Sequence, residues 1–134
     1  NSAGDAGLDP RVQAVFDDIR ATRGTDFINN FWRYLAFDPA LLESTWAEVK
    51  RVMATPSGLD PLTKEMIYIA VSVANACGYC VHSHTGAARA KGMTAAQHAE
   101  LLTIVGLAAK TNHLVTALQV PVDAVFDQDA APRS

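Results

Sequence analysis

Residues 65–92 read EMIYIAVSVANACGYCVHSHTGAARAKG, and the rest of the chain is organised around them. Within this stretch lies the cluster Cys77-Gly78-Tyr79-Cys80-Val81-His82-Ser83-His84. Cys77 and Cys80 are the only two cysteines among 134 residues, and His84 follows the second by four. On a helix, positions three and four apart face the same way, so Cys77, Cys80 and His84 share one face. A thiolate, its disulfide partner and a titratable base can then occupy one pocket.

An unbroken helix from Glu65 to Cys77 would hold the two about 18 Å apart, at about 1.5 Å of rise per residue. For the carboxylate to meet the thiols the chain must bend, and Asn75 and Gly78 are the residues expected to let it. The reading therefore places a break at 75–78 and the cysteine pair at the start of a new helix running to about Lys91. The free N–H groups and positive dipole end of that helix start favour a thiolate, which makes a nucleophile.

Outward from this centre, three Asp-Pro pairs (Asp9-Pro10, Asp38-Pro39 and Asp60-Pro61) each read as a helix start. Asp accepts the unbonded N–H groups of a first turn, and Pro at the first helical position gives up no hydrogen bond. Thr94 with Gln97 has the spacing of a capping box, just past the helix-ending Gly92. Val12, Val15, Phe16 and Ile19 recur with helical period, as do Leu42, Trp46, Val49 and Met53. Phe27, Phe31, Tyr34 and Leu35 suggest a short helix ending near Phe37. Trp32 and Trp46 are expected in the core or a subunit contact. Val120-Pro121-Val122 ends the last helix. No stretch alternates with period two, so the expected fold is all-α, with about five to seven helices.

Two of these helices are apolar almost all round, at residues 66–74 and 101–109. A helix without a polar face must be covered on every side, and a chain this short can hardly do so alone. The expected partner is a second copy of the same chain, in an obligate homo-oligomer.

The composition bounds the rest. With 49% apolar and 19% charged residues and a formal charge of −3, the chain reads as an ordinary globular protein. Its eleven Lys and Arg residues form no run, so neither nucleic acid nor an anionic membrane is an expected partner. No apolar stretch approaches the roughly 18 residues of a membrane span. No signal-peptide pattern opens the sequence, and two cysteines do not make a secreted disulfide scaffold, so a cytoplasmic location is expected. One domain is expected over 9–123. Residues 1–8 are expected to be disordered or foreign to the native chain, and 124–134 to form a C-terminal tail.

Glu65, then Cys77 twelve residues on, then Cys80 and His84, closed by Ala90-Lys91-Gly92-Met93-Thr94, resemble the alkylhydroperoxidase D (AhpD-like) branch of the carboxymuconolactone decarboxylase superfamily. The resemblance runs from about Phe31 to Asp123. It implies an all-α fold assembled as homotrimers or homohexamers. It also implies a peroxidase or disulfide-exchange cycle in antioxidant defence, with a small organic hydroperoxide as substrate, an external thiol reductant and no cofactor. Carried onto this sequence, Glu65 orients or accepts from His84, His84 deprotonates Cys80 directly or through water, and Cys77 resolves the sulfenic acid. The residues point the same way in part. Cys80 is one turn from His84 and Cys77 two, which favours Cys80 as nucleophile, though the roles exchange if Cys77 is the more exposed. Peroxide attack leaves Cys–SOH, and a thiol three residues away can condense with it before overoxidation. Where relatives of the peroxidase can carry a histidine between the cysteines, this chain has Gly78-Tyr79; His82 points away from His84.

Other readings start from the same residues. Zinc could be held by Cys77, Cys80 and His84 with His82 or Glu65, but no second cysteine pair completes a structural site. The cysteines could be inert in an apolar helix, against which the polar run His82-Ser83-His84 counts. Glu65 could be a first-turn carboxylate favoured by the helix dipole alone. Phe16, Phe27, Phe31 and Tyr34 are expected in core packing ahead of an access channel for substrate. His98 and His113 are expected at the surface or an interface. A non-catalytic redox-sensing or binding module is the main functional alternative. A lactone decarboxylase is disfavoured by the cysteine pair.

Overall fold

The structure, a computed structural model, describes residues 3–127. In chain order it consists of a 3-10 turn at Ala3–Asp5, helices α1 (Pro10–Arg23), α2 (Asn30–Leu35), α3 (Pro39–Met53), α4 (Pro61–Ala74), α5 (Gly78–Ala90) and α6 (Ala95–Ala117), and a final 3-10 turn at Ala124–Phe126. Among the described residues there is no strand, and six helices fall within the expected number.

The helix starts are where the Asp-Pro and Thr-x-x-Gln spacings put them. Asp9 accepts from the Arg11 N–H at 2.7 Å and Asp38 from the Leu41 N–H at 3.2 Å. Asp60 takes both the N–H of Thr63, at 2.9 Å, and its hydroxyl, at 2.8 Å. Thr94 and Gln97 cap each other reciprocally, at 3.0 and 2.8 Å. Each side chain satisfies donors that a helix leaves without partners at its first turn.

The chain divides into two compact units between Lys64 and Glu65. In the first, α1 and α2 pack on α3. Its core is built from Val12, Val15, Phe16 and Ile19 of α1, Ile28, Trp32 of α2, and Leu42 and Trp46 of α3. The two indoles meet edge to face, with ring centroids 5.5 Å apart, and the Trp46 ring N–H donates to Asp18 at 2.7 Å. The buried ammonium of Lys64 donates to the carbonyls of Val52, at 2.8 Å, and Thr55, at 3.0 Å, at the end of α3.

One expectation for this unit is corrected. The inward residue of α2 is Trp32, 3% exposed, whereas Phe27 and Tyr34 are 66% and 80% exposed and Phe31 is also largely open. Phe27 precedes the Asn29 cap and is not helical, so the aromatic spacing does not continue through it. A six-residue helix turns one large side chain inward, and the indole that meets Trp46 is that one. Asp5 is buried and ion-paired with Arg20 and Arg33. A buried carboxylate is held by such partners. Residues 1 and 2, and 128–134 of the expected tail, lie outside the described residues.

In the second unit, α4 ends at Ala74 and the chain reverses over three residues. Ala76 has a left-handed φ of 57°, its N–H bonds to the Val73 carbonyl at 3.0 Å, and the Cys77 N–H reaches the Ser72 carbonyl at 2.9 Å. This is a Schellman ending with alanine where glycine is usual. The break lies where the sequence requires one, but neither Asn75 nor Gly78 adopts a positive φ. Gly92, at φ 99°, ends α5 the same way, with the Met93 N–H on the Ala88 carbonyl at 2.9 Å and the Met93 side chain buried.

The apolar residues of α6 lie open in the single chain. Leu101 is buried, while Leu102, Ile104, Leu107, Leu114 and Val115 are between 43% and 60% exposed. Ile67 and Val71 of α4 are similarly open. Among the described residues no helix is long and apolar enough to cross a membrane.

The reversal yields a paired test. A Cβ at Gly92 meets nothing within 4 Å, so substitutions there act through backbone conformation alone. Ala76→Gly is expected to stabilise the protein by about 0.5–1 kcal/mol and Gly92→Ala to destabilise it by about 1 kcal/mol, because only glycine enters the left-handed region without penalty. Urea unfolding midpoints of the two variants should move in opposite directions.

Candidate active site

The reversal at Asn75–Cys77 folds α5 back beside α4, and this brings together side chains nineteen residues apart. Glu65, one turn into α4 and 5% exposed, accepts through Oε2 at 2.7 Å from Nδ1 of His84 on α5. Its other oxygen, Oε1, lies 3.4 Å from Nζ of Lys91, the residue that caps the end of α5. Tyr68, one turn beyond Glu65 on α4, stacks its ring on the His84 imidazole, with centroids 3.8 Å apart and planes 23° from parallel. The imidazole is thus held at its edge by a carboxylate and on its face by a phenol ring.

Cys77 occupies the cap position of α5, where its Sγ accepts from the Cys80 N–H at 3.3 Å. A disulfide joins Cys77 to Cys80 across a Cα separation of 5.3 Å. Both residues are half-buried. The sulfurs therefore sit where the backbone N–H groups of the first turn point outward and the helix dipole is positive, the setting that stabilises a thiolate once the bond is reduced. His84 lies on α5 one turn beyond Cys80.

The electrostatics of Glu65 are a balance. Burial is the largest single influence and pushes its carboxyl up, but the hydrogen bond and charge of His84, joined by Lys91, together outweigh it. Glu65 is held below its ordinary value and is ionised near neutral pH. An ionised carboxylate only accepts hydrogen bonds, so a neutral His84 carries its proton on Nδ1 and its lone pair on Nε2. A ring in that tautomer can accept a proton at Nε2.

The structure joins the four residues singled out in the sequence in two pairs, Cys77 with Cys80 and Glu65 with His84. His82 is exposed and takes no part in either pair. Among the described residues no three His, Cys, Asp or Glu side chains are grouped to hold a metal ion. Tyr68 and Lys91 were missed in the sequence. The signal was present in the spacing, since Tyr68 is three residues after Glu65 and Lys91 is seven after His84, each on the face of its helix that carries the site.

The family model described as the carboxymuconolactone decarboxylase family matches residues 39–123. The chain belongs to this family. Within it the chain is AhpD-like. It is 28% identical over 124 residues to the alkyl hydroperoxide reductase AhpD of Solibacter usitatus (strain Ellin6076), an alignment spanning 91% of this chain and 68% of that protein. It is 67% identical to the alkylhydroperoxidase AhpD core from Rhodospirillum rubrum ATCC 11170, whose crystal structure superposes with a TM-score of 0.86 over 89% of this chain and 93% of that one. At that identity the AhpD-like fold is shared.

The depressed carboxyl has a consequence for stability. Folded Glu65 binds its proton more weakly than unfolded Glu65, whose value is the ordinary ~4.3. Its contribution is therefore complete above that value and is lost as pH falls through the lower folded value. Glu65→Gln is expected to flatten this part of the acid unfolding profile, measured as urea midpoints from neutral pH into the acid range. Parallel losses in both proteins would show that Glu65 carries no such linkage.

Proposed function

We propose that this AhpD-like chain is a thiol-dependent peroxidase that reduces organic hydroperoxides through the Cys77–Cys80 dithiol, with Glu65 and His84 as its proton relay. The observation that carries the reading is the conjunction of a disulfide at a helix start with a buried carboxylate bound to an imidazole one turn further along the same helix. The names of its relatives support the same class of chemistry.

In the reduced protein, Nε2 of His84 takes the Cys80 thiol proton, directly or through water. The thiolate sulfur attacks the terminal peroxide oxygen, the O–O bond breaks, and the alkoxide leaves with the proton returned by His84. Cys80 is now a sulfenic acid and the substrate an alcohol. The Cys77 sulfur attacks the Cys80 sulfur, water departs and the disulfide forms. An external dithiol then supplies two electrons and two protons to restore both thiols, so each cycle consumes one hydroperoxide and one dithiol and yields alcohol, water and an external disulfide. Cys80 is taken as the attacking thiol because it lies nearer His84 along α5; the reverse order follows if Cys77 is the more reactive.

We also propose that the open apolar residues of α4 and α6 are covered by further copies of the chain, in a homotrimer or homohexamer. Helices apolar on nearly every side are stable in water only when covered.

Consumption of cumene or tert-butyl hydroperoxide in the presence of a dithiol tests the activity. Cys77→Ser and Cys80→Ser are each expected to abolish turnover. His84→Gln is expected to slow it by about 10²- to 10⁴-fold, the range of a lost general base. Cys77→Ser should still consume about one equivalent of peroxide, leaving a trappable sulfenic acid at Cys80. An intact protein that turns over neither peroxide nor disulfide, yet changes assembly between reducing and oxidising buffers, points to the redox-sensing alternative. Sedimentation at micromolar concentration should return three or six chains, and a monomer would remove the assembly proposal.

A further inference from the structure

Lys91 stands at the end of α5 with its backbone fixed, its N–H bonded to the carbonyls of Ala87 and Ala88 at 3.1 Å. The negative end of the helix dipole favours its cation there. From that position Nζ lies 3.4 Å from Oε1 of Glu65, while Oε2 of the same carboxylate bonds to His84 at 2.7 Å. His84 and Lys91 are seven residues apart, two turns along one helix, so a single face of α5 grips both oxygens of one carboxylate. Rotation of that carboxylate breaks one contact or the other.

This clamp bears on which imidazole nitrogen is basic. While Glu65 is ionised it can only accept, and the His84 proton stays on Nδ1. If the carboxylate turned away from the ring, Nδ1 would lose its acceptor and the lone pair would no longer be confined to Nε2. Among the described residues the charged groups acting on Glu65 are His84 and Lys91, both from α5. On its own helix, Lys64 is engaged by the carbonyls of Val52 and Thr55, and Tyr68 lies against His84.

We propose that Lys91 is a positioning residue that clamps Glu65 on the side opposite His84 and through it fixes which nitrogen of the imidazole carries the proton. The assignment rests on the reading of His84 as the base of the thiol cycle. Lys91 touches neither sulfur in this account; it acts through Glu65.

The test compares Lys91→Met and Lys91→Arg with the unaltered protein, following the Glu65 side-chain carboxyl by ¹³C NMR across the acid range and the His84 ring nitrogens by ¹⁵N NMR at neutral pH. In Lys91→Met the Glu65 midpoint is expected to move up by about half to one unit, a modest share of the effect of an opposite charge because the lysine is partly exposed. At neutral pH the share of rings with a protonated Nδ1 and bare Nε2 should fall in Lys91→Met, and peroxide turnover at that pH should fall with it. Lys91→Arg should restore most of each shift. A Glu65 midpoint in Lys91→Met that coincides with that of the unaltered protein overturns the proposal, as does a His84 nitrogen pattern indifferent to the substitution. If both spectra shift as expected while the unaltered protein turns over no peroxide, the clamp stands and the peroxidase reading falls.

Discussion

The buried contact between Glu65 and His84 can exist only because the polypeptide reverses between Ser72 and Gly78. An α-helix carries residues nine apart about 13 Å along its axis, so α4 alone would leave its carboxylate far from anything at its own C-terminal end. The Schellman bonds from Ala76 and Cys77 stop α4, and the next residue starts α5. One short turn thereby does two things. It returns α5 alongside α4, so that His84 and Lys91 reach Glu65, and it leaves Cys77 as the cap of a fresh helix with the dipole of that helix behind the sulfurs.

The placement of Ala76 in the left-handed region belongs to this picture. An L-residue there is strained by about 1–2 kcal/mol relative to the right-handed region, and the strain is borne immediately before the disulfide. Elsewhere in the unit the same ending is made with Gly92, where no such strain arises. The first unit spends its larger side chains on an ordinary core: four residues of α1 and two indoles packed edge to face do for α1–α3 what the ion pair and the ring stack do for the site.

Much of this was legible in the sequence because the informative signals were local. Asp-Pro pairs, a Thr-x-x-Gln box and a three-four spacing of apolar residues act over a single turn, and the helices begin where those signals stand. The Cys77, Cys80 and His84 face was legible for the same reason. What stayed hidden depends on tertiary context. Nothing local distinguishes Ala76 from Asn75 or Gly78 as the residue that takes the positive φ, since its conformation follows from the two backbone bonds that end α4. Phe27 is exposed because it precedes the helix, and Tyr34 because α2 turns Trp32 inward instead. Tyr68 and Lys91 carry ordinary helical spacings, and their roles appear only when α4 and α5 lie side by side.

The central claim is that a helix start and an oriented imidazole act together on one thiol. The most direct measurement is a pH titration of thiolate absorbance in the fully reduced protein, repeated with each cysteine replaced by serine. The account predicts one thiol, Cys80, ionising well below the ordinary ~8.5 of a free cysteine, with the other near or above it. Two thiols that both titrate close to that ordinary value would contradict it.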